Sequence, residues 1–146
     1  MKIAIASDHA GFELKDKLMY WLKSQHHEIL NFGTNSLDSC DYPDFAYKAS
    51  ISVANGEADC GVIICGSGIG MSIVCNKVKG IRAANCCSEE MAFLTRKHND
   101  ANVLNLGARL MDYETAQKIT EIFLNTDFDG GRHAVRVQKI HELTGC

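Results

Sequence analysis

Short, nearly unbroken apolar runs alternate along this chain with longer stretches whose apolar residues recur at helical intervals. "KIAIAS" (2–7) is a β-type run that stops at the polar pair Asp8-His9 and at Gly11. "FELKDKLMYWLKS" (12–24) sets Phe12, Leu14, Leu18, Trp21 and Leu22 close to helical spacing. "HEILNFG" (27–33) is a second short strand with a glycine stop. After a loop around Tyr42-Pro43, residues 44–56 read as a helix closed by Asn55-Gly56. "CGVIIC" (60–65) is the third strand, and a helix over 69–77 begins inside the glycine-rich turn that follows it. "GIRAANC" (80–86) is a fourth strand. The helix over 88–99 opens with a serine cap and a Glu-Glu first turn. "ANVLNLG" (101–107) is a fifth strand, and the helix over 112–125 starts from an aspartate cap. "FDGG" (128–131) is a turn, and 132–143 is helical.

The strands are nearly all apolar rather than alternating, as strands covered on both faces are. Their alternation with helices predicts a three-layer α/β/α, Rossmann-like domain with a five-stranded parallel sheet and a C-terminal helix. No linker, internal repeat or low-complexity segment divides the chain, so residues 1–146 are expected to form a single domain.

Composition narrows the function. The 146 residues are 46% hydrophobic and 23% charged, which is globular rather than disordered. A formal charge of −3 argues against a dedicated nucleic-acid partner. No apolar run approaches the roughly 18 residues of a membrane span, and the N-terminus has no signal-peptide pattern. The seven cysteines are odd in number and sit mostly inside apolar runs, so no disulfide framework is expected and a reducing cytoplasm is. No CxxC pair or other ligand spacing suggests a metal. Cys60, Cys75, Cys86 and Cys87 read as small apolar core residues.

Ligands of open parallel sheets bind beyond the carboxyl ends of the strands. Ser7-Asp8-His9 follows the first strand, Cys65-Gly66-Ser67-Gly68-Ile69-Gly70 the third, and Gly107-Ala108-Arg109 the fifth. The glycines spell GxGxG, not the GxGxxG of dinucleotide sites, and the lysine of a Walker loop is absent. A cysteine-phosphatase loop would carry arginine six residues after Cys65, where Met71 stands. What remains is a turn whose N–H groups converge on an anion, or a tight bend that binds nothing. Cys65 and Ser67 beside the glycines favour a site. A thiolate next to an oxyanion cradle suits abstraction of a proton from carbon beside a carbonyl. A free thiol ionises near pH 8.5, and a helix N-terminus lowers that value. A well-placed base is worth about 100- to 10,000-fold, and one oxyanion donor about 3 kcal/mol. Near the C-terminus, Arg132 and Arg136 are four residues apart and share a helix face. They could grip a phosphate together with Arg109, or form a solvated basic face. His98-Asn99 sits at a helix end, where a capping role competes with a functional one. His26, His27 and His141 read as surface residues.

Several separate motifs, "SDHAG" (7–11), "DYPDFA" (41–46), "CGSGIGMSI" (65–73), "KHNDANVLNLGARL" (97–110) and "GGRHAVRVQKI" (130–140), resemble ribose-5-phosphate isomerase B, whose close relatives are the galactose-6-phosphate isomerase subunits. The resemblance spans nearly the whole chain. It implies a cofactor-free aldose–ketose isomerase that interconverts ribose 5-phosphate and ribulose 5-phosphate through a cis-enediolate. By position it makes Cys65 the proton-abstracting base and Ser67, where the family often has threonine, the hydroxyl that moves protons between the two sugar oxygens. The N–H groups of Gly66 through Gly70, with Gly68 and Ile69 between, match the enediolate cradle. His98 matches the acid that opens the furanose ring. Asp8, Tyr42 and Asn99 match sugar contacts, and His9, Arg109, Arg132 and Arg136 match phosphate contacts. Some members replace the cysteine by a glutamate a few residues later; Cys65 followed by Ile69-Gly70-Met71 places this chain with the cysteine group.

Two other readings stand beside this one. A hexose-6-phosphate isomerase of allose or galactose type would share the fold and the catalytic set. A non-catalytic sugar-phosphate-binding subunit would be expected to lack Cys65 or His98, and both are present. The strand assignment also bears on assembly. Asp8, Cys65 and Arg109 follow strands, whereas His98 and Asn99 precede the fifth, at the opposite edge of a sheet roughly 17 Å across. If both groups act on one sugar, the second comes from another subunit. The resemblance likewise implies a homodimer with shared sites, or a tetramer built from it.

Overall fold

Runs such as 2–7 and 60–65 bury apolar side chains on both faces only inside a covered sheet, and both become strands of one. In the computed structural model, which describes residues 1–145, β1 (Lys2–Ser7), β2 (Glu28–Asn31), β3 (Cys60–Cys65), β4 (Ala83–Asn85) and β5 (Val103–Gly107) pair in the order β2-β1-β3-β5-β4. Every pairing is parallel. The crossovers are α1 (Phe12–Ser24), α2 (Tyr42–Ala54), α3 (Ile69–Cys75) and α4 (Glu89–Asn99); α5 (Tyr113–Asn125) and α6 (Arg132–Thr144) follow the last strand.

The two-residue period of the strands sorts the core into two layers. Ile3, Ile5, Val62, Ile64, Leu104 and Leu106 face Leu14, Leu18 and Leu22 of α1, Ala92 of α4, and Ala116, Ile119 and Phe123 of α5. Ala4, Ala6, Ile63, Cys65 and Val103 face Ala46, Ala49 and Val53 of α2 and Met71 and Cys75 of α3. α6 lies outside these layers and packs on α4. The expected caps form: the Ser88 hydroxyl accepts the Met91 N–H at 3.2 Å, and the Asp112 carboxylate accepts the Thr115 N–H at 2.8 Å.

Three expectations are corrected. Tyr42 and Pro43 belong to α2, not to the loop before it; proline is tolerated in a first helical turn, where its missing N–H has no partner to lose. β4 is shorter than residues 80–86. The Asn102 side chain takes the Gly80 carbonyl and the Arg82 N–H, so the ladder starts at Ala83. Cys87 is exposed, while Cys60, Cys75 and Cys86 are buried as expected. Neighbours in an extended segment point opposite ways, and Cys86 takes the inward position. Burial pushes the Cys60 and Cys86 thiols up to about 12 and raises that of Cys75. Among the described residues all six cysteines are free, and no helix is long and apolar enough to cross a membrane.

The centre of the sheet sets the stability. Ile64 lies on β3 with no exposed surface, so Ile64→Ala is expected to cost about 2–5 kcal/mol in chemical denaturation through lost burial and the cavity left behind.

Candidate active site

The strand order puts β3 between β1 and β5. Ser7 pairs with Ile64 and Cys65 with Gly107, so the loops after these three strands leave the sheet at one level. A cleft of about 350 Å³ opens there. The Cys65 thiol, Gly66, Ser67 and Gly70 line it from the turn after β3. Asp8 and His9 line it from β1, Arg109 from β5, and Tyr42 from the first turn of α2.

The turn is held by its carbonyls. The N–H of Ala108 donates to the Cys65 carbonyl at 2.8 Å, and the N–H of Arg109 to the Gly66 carbonyl at 3.0 Å. In a planar trans peptide the N–H points opposite to the carbonyl. The N–H groups of Gly66 and Ser67 are therefore turned away from β5, and neither has an acceptor among the described residues. The next N–H, of Gly68, donates to the Cys65 sulfur at 3.2 Å. The N–H of Ile69 donates to the Ser67 hydroxyl at 3.3 Å. Gly68 has φ +76°, which a side chain rarely tolerates. Gly70 lies under the ring of Tyr42; a Cβ there would meet Tyr42 Cζ at 2.8 Å. Ile69 itself points outward and is exposed.

Asp8 is buried, and its Oδ1 accepts the Gly11 N–H at 3.0 Å, which ties the end of β1 to the start of α1. The His9 ring is oriented from its far side. Its Nδ1 accepts the Cys40 N–H at 3.3 Å, with the Cys40 thiol 3.8 Å away. An Nδ1 that accepts leaves the proton of the neutral ring on Nε2, as a donor. The Arg109 guanidinium lies over Gly66: a Cβ on that glycine would sit 3.3 Å from Nη1.

The remaining predicted residues are elsewhere. His98 and Asn99 end α4, at the amino edge of the sheet, and Arg132 and Arg136 are exposed at the start of α6. Asn99 lines a separate cleft of about 570 Å³ with Arg82, Ala83 and Ile140. This edge is rigid. Asp100 bridges Arg82 at 2.9 Å and Arg96 at 3.1 Å, and Arg82 Nε donates to the carbonyls of Asn99 and Asp100. The Asp129 N–H donates to the Lys97 carbonyl, and the Lys97 ammonium pairs with the Asp129 carboxylate at 2.7 Å. These contacts dock the start of α6 on the end of α4. There the rings of His98 and His133 stack, with centroids 4.3 Å apart and planes 7° from parallel. Burial, and then electrostatic repulsion from His98, Arg132 and Arg136, lowers the His133 pKa. His141, read as a surface residue, is half-buried with Nε2 3.2 Å from Arg82 Nη1. Among the described residues no group of three or more His, Cys, Asp or Glu side chains is placed to hold a metal ion.

Sequence reasoning missed Cys40, Asn85 and His133. His133 follows Arg132 directly, and Asn85 is the polar residue that interrupts "GIRAANC"; both were visible as types but not as contacts. Cys40 carried no signal, because a backbone N–H is present in every residue except proline.

A protein from Escherichia coli, ribose-5-phosphate isomerase B, is 43% identical over 139 residues, covering 95% of this chain and 93% of its own. The structure of ribose-5-phosphate isomerase B from Clostridium thermocellum superimposes with a TM-score of 0.98 at 48% identity, covering 99% of this chain and 98% of that one. The Mycoplasma genitalium enzyme, solved with ribulose 5-phosphate bound, gives 0.94 at 41% identity, with 99% and 96% covered. The ribose/galactose isomerase family model matches residues 3–140. With the same fold and a match along nearly its whole length, the chain belongs to the ribose/galactose isomerase family.

Proposed function

We propose that residues 1–146 act as one sugar-phosphate isomerase domain that interconverts ribose 5-phosphate and ribulose 5-phosphate. One observation carries the reading: a thiol, a hydroxyl and unpaired backbone N–H groups meet at the floor of one cleft. The Escherichia coli relative has this activity in its name, and the Mycoplasma genitalium relative holds the ketose product. In this reading the Cys65 thiolate removes the C2 proton of the open-chain aldose. The electrons of that bond form the enediolate, whose negative oxygen lies against the N–H groups of Gly66 and Ser67. The Ser67 hydroxyl passes a proton between O1 and O2, and Cys65 returns its proton to C1. Asp8 and Tyr42 hold the sugar hydroxyls. His9, through Nε2–H, and Arg109 bind from the cleft rim. The six free cysteines among the described residues suit a reducing cytoplasm.

His98, the acid for ring opening, lies with Asn99, Arg132 and Arg136 at the other edge of the sheet from Cys65. A complete site then needs a second copy of the chain, and a homodimer joins the cleft of one subunit to the His98 end of the other. Exposed Ile69, Ile73 and Leu110 beside the cleft are apolar surface that such a partner would cover.

With ribose 5-phosphate as substrate, Cys65→Ala is expected to lose kcat by orders of magnitude with little change in substrate binding. Exchange of the C2 proton with solvent should stop as well. Parallel assays with allose 6-phosphate and galactose 6-phosphate are expected to show much slower turnover. Near-normal turnover by the alanine variant would leave Cys65 as a core residue. Arg132→Ala or Arg136→Ala should raise KM about ten- to a hundredfold, because charge-assisted hydrogen bonds contribute roughly 1.5–3 kcal/mol each; an unchanged KM for Arg136→Ala would assign that side chain to the solvated face. Co-refolding equal amounts of Cys65→Ala and His98→Ala chains should restore about a quarter of full activity, since about half the dimers are mixed and each has one intact site of two. No recovery, with heterodimers shown to form, would place both residues in one site of one chain.

A further inference from the structure

The turn after β3 has three successive peptides whose carbonyls are held from outside. Backbone N–H groups of Ala108 and Arg109 hold the first two. The third carbonyl, of Ser67, accepts the side-chain amide of Asn85, whose Nδ2 lies 3.3 Å away. That third peptide is the one whose N–H, on Gly68, donates to the Cys65 sulfur at 3.2 Å. Asn85 is the last residue of β4, on the far side of β5 from β3, and its amide reaches across to the turn. The fit is close: a Cβ on Gly68 would meet Asn85 Oδ1 at 2.1 Å.

We propose that Asn85 is a positioning residue for Cys65, acting through the Ser67–Gly68 peptide. A trans peptide is planar and nearly rigid, so an amide that holds the Ser67 carbonyl also aims the Gly68 N–H. An N–H aimed at sulfur favours the thiolate over the thiol, as any hydrogen bond to a charged form does. Without Asn85 nothing else among the described residues donates to the Ser67 carbonyl, and the peptide can rotate. The other two peptides have no such dependence on a side chain. The Gly66 and Ser67 N–H groups are oriented by the backbone of the β5 loop, whatever residues stand there. The cradle for the enediolate and the activation of the thiol are thus set by two different strands.

The inference rests on the reading of Cys65 as the reactive group, but its test does not require turnover. Iodoacetamide alkylation of the parent protein is followed by mass spectrometry at the Cys65 peptide, which separates it from Cys40 and Cys87. Asn85→Ala is expected to slow alkylation at Cys65 about three- to tenfold near neutral pH, the size of one hydrogen bond, with the rate recovered at alkaline pH. Asn85→Asp keeps the shape but turns an acceptor toward the Ser67 carbonyl; it is expected to slow alkylation at least as much, and it provides the measurement if the alanine variant folds poorly. The Gly68 amide proton should shift in both variants by NMR. Asn76→Ala is the control. Asn76 bonds both backbone groups of Ala83, Nδ2 to the carbonyl and Oδ1 from the N–H, each at 2.9 Å, and its Nδ2 also donates to the Ser72 carbonyl at 3.0 Å, so it ties β4 to α3 without touching the turn. It should leave the alkylation of Cys65 and the Gly68 resonance unchanged. Parent-like alkylation in both Asn85 variants, or an equal loss in Asn76→Ala, would overturn the proposal. In the same variants kcat is expected to fall with KM retained; alkylation slowed as predicted while Cys65→Ala still turns over would keep the Asn85 role and reject Cys65 as the base.

Discussion

Two backbone hydrogen bonds, from Ala108 to Cys65 and from Arg109 to Gly66, hold the loop after β5 to the loop after β3, and the cleft is arranged around them. They extend the β3–β5 ladder one turn past the end of the sheet. Because they use carbonyls, they leave the N–H side of the same peptides free. A buried N–H without a partner is costly, so a turn of this kind is stable where solvent or an anion can reach it. The carbonyl bonds thus leave two N–H groups free for the proposed enediolate without any charged side chain in the turn itself. The same bonds bring Arg109 over Gly66, so a cation faces the cradle for the same reason the cradle exists.

In the layer containing α2 and α3, the contact between β1 and α2 is built from small residues. Ala4 and Ala6 on β1 meet Ala46 and Ala49 on α2, with no exposed surface on any of the four. Small side chains let a helix approach the sheet closely, and α2 carries Tyr42 in its first turn. The ring then lies over Gly70, a contact that any Cβ at that position would block. The opposite layer is filled by leucines, isoleucines and Phe123 and carries no residue of the cleft apart from the loops at its edge. Packing on one face therefore places a residue that lines the cleft, while packing on the other chiefly supplies stability.

The ion network at the amino edge has a comparable effect on the second group. Asp100 accepts from two arginines, and the Lys97–Asp129 pair adds a third anchor between α4 and the turn before α6. Partly exposed pairs are individually weak. Placed together around the end of α4, they hold the backbone on which His98 and Asn99 stand, and the stack with His133 holds the His98 ring. Each half of the proposed site is thus rigid within one chain, which suits a site completed by docking rather than by folding.

Element types and most of their limits were legible in the chain because burial on two faces leaves uninterrupted apolar runs, and caps such as Ser88 and Asp112 act within one turn. The turn after β3 was legible for the same local reason: Cys65, Ser67 and the glycines are neighbours in sequence. The tight start of α2 was misread, since Pro43 breaks most helices but not a first turn. The neighbours of the turn were beyond reach. That β5 and not β4 lies beside β3 follows from the way the chain crosses back across the sheet, and that crossing brings Arg109 and Asn85 to Cys65. Residues twenty and forty positions apart meet only when helices have closed over both faces, so their contacts are a property of the packing. What the sequence by itself determined is the local chemistry at each strand end; which strand ends share a cleft, and which way each peptide of the turn faces, only the tertiary structure decided.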